Sequence, residues 1–155
     1  NESADRVEAL GEITAASAEG AAVLKLMTAA EQAQAGDAQA AAATLDQLAV
    51  DGDVPAIYRQ LAQFKSLTLQ ADTTDVATRR VAFEALAVPG NPLRLLAEEQ
   101  LALIDIESGD TEAALARYQA IVEDAERTEG LQQRALQVIV ALGGTPDVGA
   151  AGSEN

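Results

Sequence analysis

The sequence predicts an all-α fold, built as a stack of antiparallel helical hairpins with about eight helices. Apolar residues recur at helical spacing along most of the 155 residues, and no alternating run rich in β-branched residues indicates a strand. Hydrophobic residues make up 48% of the chain but aromatic residues only 3%, so a core must consist mainly of Ala, Leu, Val and Ile. Such a core favours closely packed helices, because alanine combines a small side chain with the highest helix propensity.

Four helices are predicted in the first half of the chain, over residues 3–18, from a joint at 18–20 to residue 35, and over 38–49 and 54–71. Each is indicated by apolar residues at helical spacing. Gly36 suits the left-handed residue that follows a helix, and Asp37 suits the N-cap of the next helix. Pro55 fits the first turn of the fourth helix. The short turns between these helices favour antiparallel neighbours.

Four more helices are predicted over residues 75–87, 92–108, 111–126 and 129–142. Thr73 or Thr74 is predicted to cap the first of these. Pro92 is predicted to begin the second, after the strongest break in the chain, VPGNP. Asp110 suits the N-cap of the third, and the Gly-Gly pair at 143–144 ends the last helix.

One domain is expected, over residues 1–144, because a chain of this length is typical of a single domain. Residues 145–155 lack large apolar side chains and are interpreted as a disordered acidic tail.

The net charge of −15 excludes some classes of partner. Nucleic acids and anionic membrane surfaces are bound by clustered Lys and Arg, so neither is an expected partner. We interpret the acidic residues as a solvated surface, and the adjacent Arg79 and Arg80 as a surface ion-pair site.

No apolar run approaches the length of about 20 residues that a membrane-spanning helix needs. The chain opens at Asn1 without a Met, so any membrane anchor or signal peptide is expected to lie upstream of Asn1.

The sequence offers little for catalysis, and we predict no enzymatic activity, no cofactor and no metal site. It contains no Cys and no His, which removes thiol chemistry, the commonest general base and the commonest nitrogen ligand. Glu98, Glu99 and Asp105 lie within two turns of one predicted helix. No basic partner motif accompanies these carboxylates, and we expect them to be solvated or to cap a helix. The segment DGD at 51–53 lacks the other ligands of a calcium loop and is interpreted as a turn.

Two stretches of the chain repeat each other 73 residues apart: AGDAQAAAATLDQLAVD at 35–51 and SGDTEAALARYQAIVED at 108–124. The repeated pairs are Gly36/Gly109, Asp37/Asp110, Ala40/Ala113, Ala41/Ala114, Ala43/Ala116, Leu45/Tyr118 and Leu48/Ile121. A period of about 34 residues is typical of helix–turn–helix repeats, so the offset corresponds to two repeats plus about five residues. A middle copy is then expected over 54–87, with Ala71-Asp72 in place of Gly-Asp and the insertion at VPGNP.

These residues resemble the core of the tetratricopeptide consensus, at Gly36, Asp37, Ala41 and Leu45 and again at Gly109, Asp110, Ala114 and Tyr118. Leu101 and Ala102 fit its Leu and small residue on the preceding helix, whereas Glu98 and Asp105 stand where the consensus has Trp and Tyr. The chain therefore resembles a divergent member, and the resemblance implies a tetratricopeptide-like α-solenoid.

The segment 92–144 more specifically resembles the end of YfgM-like proteins, which are tetratricopeptide-like proteins of bacterial envelopes. The shared features are Gly-Asp-Thr, AAL, an EGLQQRA turn into a last helix and a closing ALGG, and the resemblance extends over about 20–144. It implies an inner-membrane anchor upstream of this chain and a location on the periplasmic face of the membrane. It also implies a role at the translocon, with periplasmic chaperones, in assisting or scaffolding secreted and envelope proteins. The alternative is a structural adaptor in outer-membrane protein assembly that binds one folded partner without a client groove.

A curved stack of hairpins would place the first helix of each hairpin on the concave side. The Gly-Asp register assigns ten residues to a protein-binding groove there: Val23, Leu26, Tyr58, Leu61, Lys65, Leu69, Leu96, Glu99, Leu103 and Ile106. Two interpretations stay open, because large exposed apolar patches are rare on monomers. The groove binds an apolar segment of a protein or peptide partner, or it is covered by the N-terminal helix, the last helix or a second subunit.

Overall fold

The computed structural model describes residues 2–146, and within that range the chain forms eight α-helices and no β-strand. The helices are α1 (Glu2–Gly11), α2 (Ala18–Gln34), α3 (Ala38–Ala49), α4 (Ala56–Leu69), α5 (Val76–Leu86), α6 (Arg94–Glu107), α7 (Thr111–Glu123) and α8 (Glu129–Ala141). The predicted all-α fold is therefore confirmed. Most of the predicted tail at 145–155 lies outside the described residues.

The chain divides into two compact units between Arg79 and Arg80, inside α5. In the first unit α2 packs against α1 and α3, and α4 packs against α3 and α2. In the second unit α7 packs against both α6 and α8. Short connections make these consecutive helices antiparallel hairpins.

Each unit has its own core. The core of the first unit consists of Ala22, Ala29, Ala41, Leu45, Leu48, Val54 and Ala62. The core of the second unit consists of Ala102, Tyr118, Ile121, Val122, Leu131, Ala135 and Ile139. Burial raises the pKa of the Tyr118 phenol to about 12, because the apolar surroundings disfavour its ionised form.

The repeated positions play the same structural parts in the two units. Gly36 and Gly109 both have the left-handed backbone predicted for them, with φ of 86° and 79°. Asp37 Oδ1 accepts the N–H of Ala40 at 2.9 Å, and Asp110 Oδ1 accepts the equivalent N–H at 3.0 Å. The predicted N-caps are therefore confirmed. The large residues that follow, Leu45/Tyr118 and Leu48/Ile121, are all buried.

The repetition continues beyond the stretches that show it in the sequence. Helices α4 and α8 begin 73 residues apart, and Ala62 and Ala135, at equivalent positions on them, are both fully buried. The repeating structure therefore contains three helices, α2–α4 in one unit and α6–α8 in the other.

The first predicted helix is wrong at its end. Helix α1 stops at Gly11, and residues 12–17 connect it to α2, so the predicted joint at 18–20 is the first turn of α2. Ser17 has extended backbone and accepts the N–H of Gly20 on Oγ at 3.1 Å, which fixes the start of α2 there. Ile13, whose spacing suggested a continuing helix, is 54% exposed.

The connection before α5 also differs from the prediction. Asp75, rather than Thr73 or Thr74, caps α5 by accepting the N–H of Thr78 at 3.0 Å. The hydroxyl and the N–H of Thr78 both donate to this carboxylate and lower its pKa. Residues 70–75 separate α4 from α5, whereas residues 35–37 suffice between α2 and α3. Ala71-Asp72 therefore lies in a longer loop that does not copy the Gly-Asp joint.

Candidate functional site

A cavity of about 350 Å³ lies between α2 and α4 in the first unit. Its lining, which we call the α2/α4 groove, consists of Leu26, Ala29, Ala30, Ala33, Leu45, Lys65, Thr68 and Leu69. Ala29 and Leu45 belong to the buried core, while Lys65 is exposed. The groove is therefore a space between two helices that the third helix, α3, closes from below.

The lining holds one charged group and no carboxylate. The hydroxyl of Thr68 is engaged within α4, because it donates to the carbonyl oxygen of Lys65 at 2.9 Å. The ammonium of Lys65 makes no salt bridge or hydrogen bond with any residue in the described range. By contrast, Nζ of Lys25, the other lysine of the chain, donates to Asp51 at 3.1 Å.

The width of the groove follows from small side chains on α2. Ala30 and Ala33 form part of its wall, and the equivalent positions in the second unit are the larger Leu103 and Ile106. Ile106 packs against the core of the second unit. At the position equivalent to Ala33 the second unit therefore packs a larger side chain against its core, whereas Leu103, at the position equivalent to Ala30, is exposed.

The predicted groove residues of the first unit only partly coincide with this groove. Of these predicted residues, Leu26, Lys65 and Leu69 line the α2/α4 groove. Tyr58 packs against the core, Leu61 is half-buried outside the lining, and Val23 is 42% exposed outside the lining.

The predicted groove residues of the second unit have separate environments. Leu96 lines another cavity, of about 500 Å³, and Ile106 packs against the core. Leu103 is 44% exposed. The carboxylate of Glu99 accepts hydrogen bonds from Nε and Nη2 of Arg134, both at 2.9 Å, so its charge is neutralised within the unit.

Sequence reasoning missed five lining residues: Ala29, Ala30, Ala33, Leu45 and Thr68. The three alanines continue the helical spacing that starts at Leu26, and this spacing was a usable signal. Leu45 contributes from α3, and the groove register included only the first helix of each hairpin.

The expectation that the carboxylates of α6 are solvated or cap a helix is wrong. Asp105 is 3% exposed and lies between two arginines: Arg80 on α5 at 2.7 Å and Arg117 on α7 at 2.8 Å. Arg117 also donates to Glu98 at 2.6 Å. Burial acts to lower the pKa of Arg117, but its hydrogen bonds to Asp105 and Glu98 outweigh this and raise it. The basic partners lie on other helices, so no local sequence motif predicted them.

The two adjacent arginines differ in role. Arg80 takes part in the ion pair that was predicted for this site. Arg79 is buried, and its Nε donates to the carbonyl oxygen of Thr74 at 3.1 Å. The dipeptide is therefore a structural element of α5 and its loop, and only partly a surface site.

The segment at 51–53 forms the predicted turn. Asp51 Oδ1 accepts the N–H of Asp53 at 3.2 Å, and the hydrogen bond from Lys25 is the main reason that the pKa of Asp51 is lowered. Among residues 2–146, no group of three or more acidic side chains is placed to hold a metal ion.

No helix in the described part of the chain combines the length and the apolar character needed to cross a membrane.

The chain matches no protein-family model, and no curated protein or solved structure matches it.

Proposed function

We propose that this chain is a non-catalytic protein-binding domain and that its α2/α4 groove holds an apolar segment of another polypeptide. In the setting implied by the YfgM-like resemblance, the partner is a secreted or envelope protein near the translocon. The domain then acts on the periplasmic face of a bacterial inner membrane, and membrane contact comes from an anchor upstream of this chain.

The composition of the groove carries this proposal. A chain with 25 acidic residues places none of them in the lining of the groove. Its volume of about 350 Å³ falls within the range of ligand-binding clefts, which is about 300–1,000 Å³. Alanines on α2 allow a bound backbone to approach closely, while Leu26 and Leu69 offer apolar contact on opposite helices.

The carboxylates considered for catalysis support the same proposal. Asp105, Glu98 and Glu99 are each bound by arginine, which holds them as charge partners between helices. A general acid or base needs an open approach to a substrate proton, and these ion pairs occupy the oxygens that would provide it.

The test uses the whole chain and a permanently unfolded, fluorescently labelled client protein. Ala33→Ile and Ala30→Leu introduce the side chains that the second unit carries at the equivalent positions, Ile106 and Leu103. Each substitution narrows the groove with a residue that the equivalent helix already accommodates. We expect client affinity to fall about tenfold, since about 1.4 kcal/mol of contact is lost. The melting temperature should not decrease. Ala85→Leu, on an exposed position of α5, is the matched control and should bind like the unsubstituted protein.

Absence of client binding by the unsubstituted protein contradicts the proposal. Equal affinity of the filled and open grooves also contradicts it, because binding would then occur elsewhere.

The structural adaptor is a second candidate, and one observation favours it. Val23 and Met27 lie one turn apart on α2, are 42% and 49% exposed, and remain outside the groove lining. An adaptor using this stripe should capture one folded partner and lose it in Val23→Asp or Met27→Asp. Ala33→Ile should leave that capture unchanged, which separates the adaptor from the client-binding domain.

A further inference from the structure

We infer that the segment bound in the α2/α4 groove carries a side-chain carboxylate beside its apolar residues, and that this carboxylate pairs with Lys65. The inference rests on the proposed function, because it names the chemistry of the ligand for the same groove.

The first argument is the state of Lys65 compared with that of the other cations. The basic residues that form salt bridges with carboxylates include Arg6, Lys25, Arg80, Arg94, Arg117 and Arg134. Arg79 and Arg127 donate to backbone carbonyl oxygens, and Arg59 lies in the field of Asp51. Within residues 2–146, the ammonium of Lys65 has no such partner. The chain has 25 acidic and 10 basic residues, so carboxylates are abundant near most cations. Because Lys65 has no carboxylate partner in that range, its ammonium group is available to pair with a bound ligand.

The second argument is the position of Lys65. Lys65 lies on the wall of the groove, one turn before Leu69. The hydroxyl of the neighbouring Thr68 donates to a backbone carbonyl oxygen of α4 and is therefore already engaged. Lys65 is therefore the side-chain donor that the lining offers to a bound chain. Packing does not require a cation here, since the equivalent residue of the second unit is Val138, which packs against that core.

The balance of long-range and local charge supports a carboxylate rather than a second cation. The net charge of −15 repels acidic ligands at a distance, but at physiological salt this field is screened beyond about 8 Å. A salt bridge to Lys65 acts within about 4 Å and beside apolar walls, where screening is weaker. The local contact therefore decides which residue of a bound segment is preferred in the groove.

The experiment compares three capped peptides of about ten residues that differ at one position between two leucines, which is Asp, Asn or Lys. Capping removes the terminal charges, so one side chain makes the difference. Affinities are measured by fluorescence anisotropy with the whole chain at about 0.15 M salt. We expect the Asp peptide to bind about two- to fivefold more tightly than the Asn peptide, and the Lys peptide to bind most weakly.

Variants of Lys65 assign the preference to this residue. Lys65→Gln should remove the difference between Asp and Asn peptides, and Lys65→Glu should make the Lys peptide the tightest. Lys25→Gln removes the same charge from α2 outside the groove lining and should retain the order of the unsubstituted protein.

The outcomes separate the two claims. If the Asp and Asn peptides bind equally, and Ala33→Ile weakens both, the carboxylate inference is overturned while the proposed function stands. If no peptide binds, the proposed function itself is contradicted. If octanoate binds in a Lys65-dependent way and displaces no peptide, the groove belongs to a fatty carboxylate, and the assignment to a polypeptide is overturned.

Discussion

Gly36 and Gly109 show how a single residue sets the geometry of a helical hairpin. Both follow a helix and have positive φ, a conformation in which side chains with a branched Cβ are strained. A Cβ built at either position would meet no neighbouring atom within 4 Å. The requirement for glycine is therefore a requirement of the backbone and owes nothing to lack of space.

Gly109→Val should lower the free energy of unfolding by about 1–3 kcal/mol, because the β-branched side chain is forced into the left-handed region. Gly52→Val is the matched control, since Gly52 has equally open surroundings but no positive φ. Urea denaturation of both variants measures the difference. Equal midpoints would show that the backbone conformation at Gly109 carries no cost.

Asp105 shows how charge connects three helices of the second unit. Its carboxylate, on α6, is bound by Arg80 of α5 and Arg117 of α7, and its exposed fraction is only 3%. Both arginines have given up part of their hydration, and Arg80 pairs with this carboxylate while Arg117 pairs with both Asp105 and Glu98. The arrangement fixes the relative positions of these helix faces more specifically than alanine contacts do.

Asp105→Asn should destabilise the chain by about 2–4 kcal/mol, because Arg80 loses its carboxylate partner in a partly buried site and Arg117 keeps only Glu98. Glu98→Gln is the comparison, since Glu98 is more exposed, has one arginine partner and should cost less than about 1 kcal/mol. Chemical denaturation followed by circular dichroism measures both losses. If the two substitutions cost the same, the buried position of Asp105 contributes no additional stability.

What the sequence predicts correctly at the element scale is local. Asp37 and Asp110 cap helices through N–H groups three residues away, so their pattern is visible in a short window. The partners of the α6 carboxylates are not local, since Arg134 lies 35 residues from Glu99. Ser17 caps α2 from an extended backbone, and Asp75 rather than a neighbouring threonine caps α5, which shows that composition alone does not reveal the capping residue.

The groove shows the corresponding limit for the site. Helical spacing assigned Leu26, Lys65 and Leu69 to the predicted groove, and these three residues line the α2/α4 groove. It did not indicate that the opening depends on Ala30 and Ala33, because alanine on a helix is equally typical of tight packing. Comparison of the two units adds that information, since Ile106, at the position equivalent to Ala33, packs against the core of the second unit.

At the scale of the whole molecule, the 73-residue repetition gives the chain two cores of the same design. Leu48 and Ile121 are equivalent residues, both essentially inaccessible to solvent, and each lies in the core of a different unit. The division between Arg79 and Arg80 leaves each set of core contacts within its own unit. Cooperativity between the units is therefore open to a direct test.

Leu48→Ala and Ile121→Ala should each cost about 2–5 kcal/mol, because a buried side chain is lost and a cavity remains. We expect Leu48→Ala to reduce hydrogen-exchange protection in α2–α4 and to spare α6–α8, with the reverse pattern for Ile121→Ala. Native-state exchange with mass spectrometry resolves the two sets of helices. Equal loss of protection in both units after either substitution would contradict this expectation and would support residues 1–144 as one cooperative domain. The same experiment thus decides whether the groove of the first unit can be altered without consequence for the second.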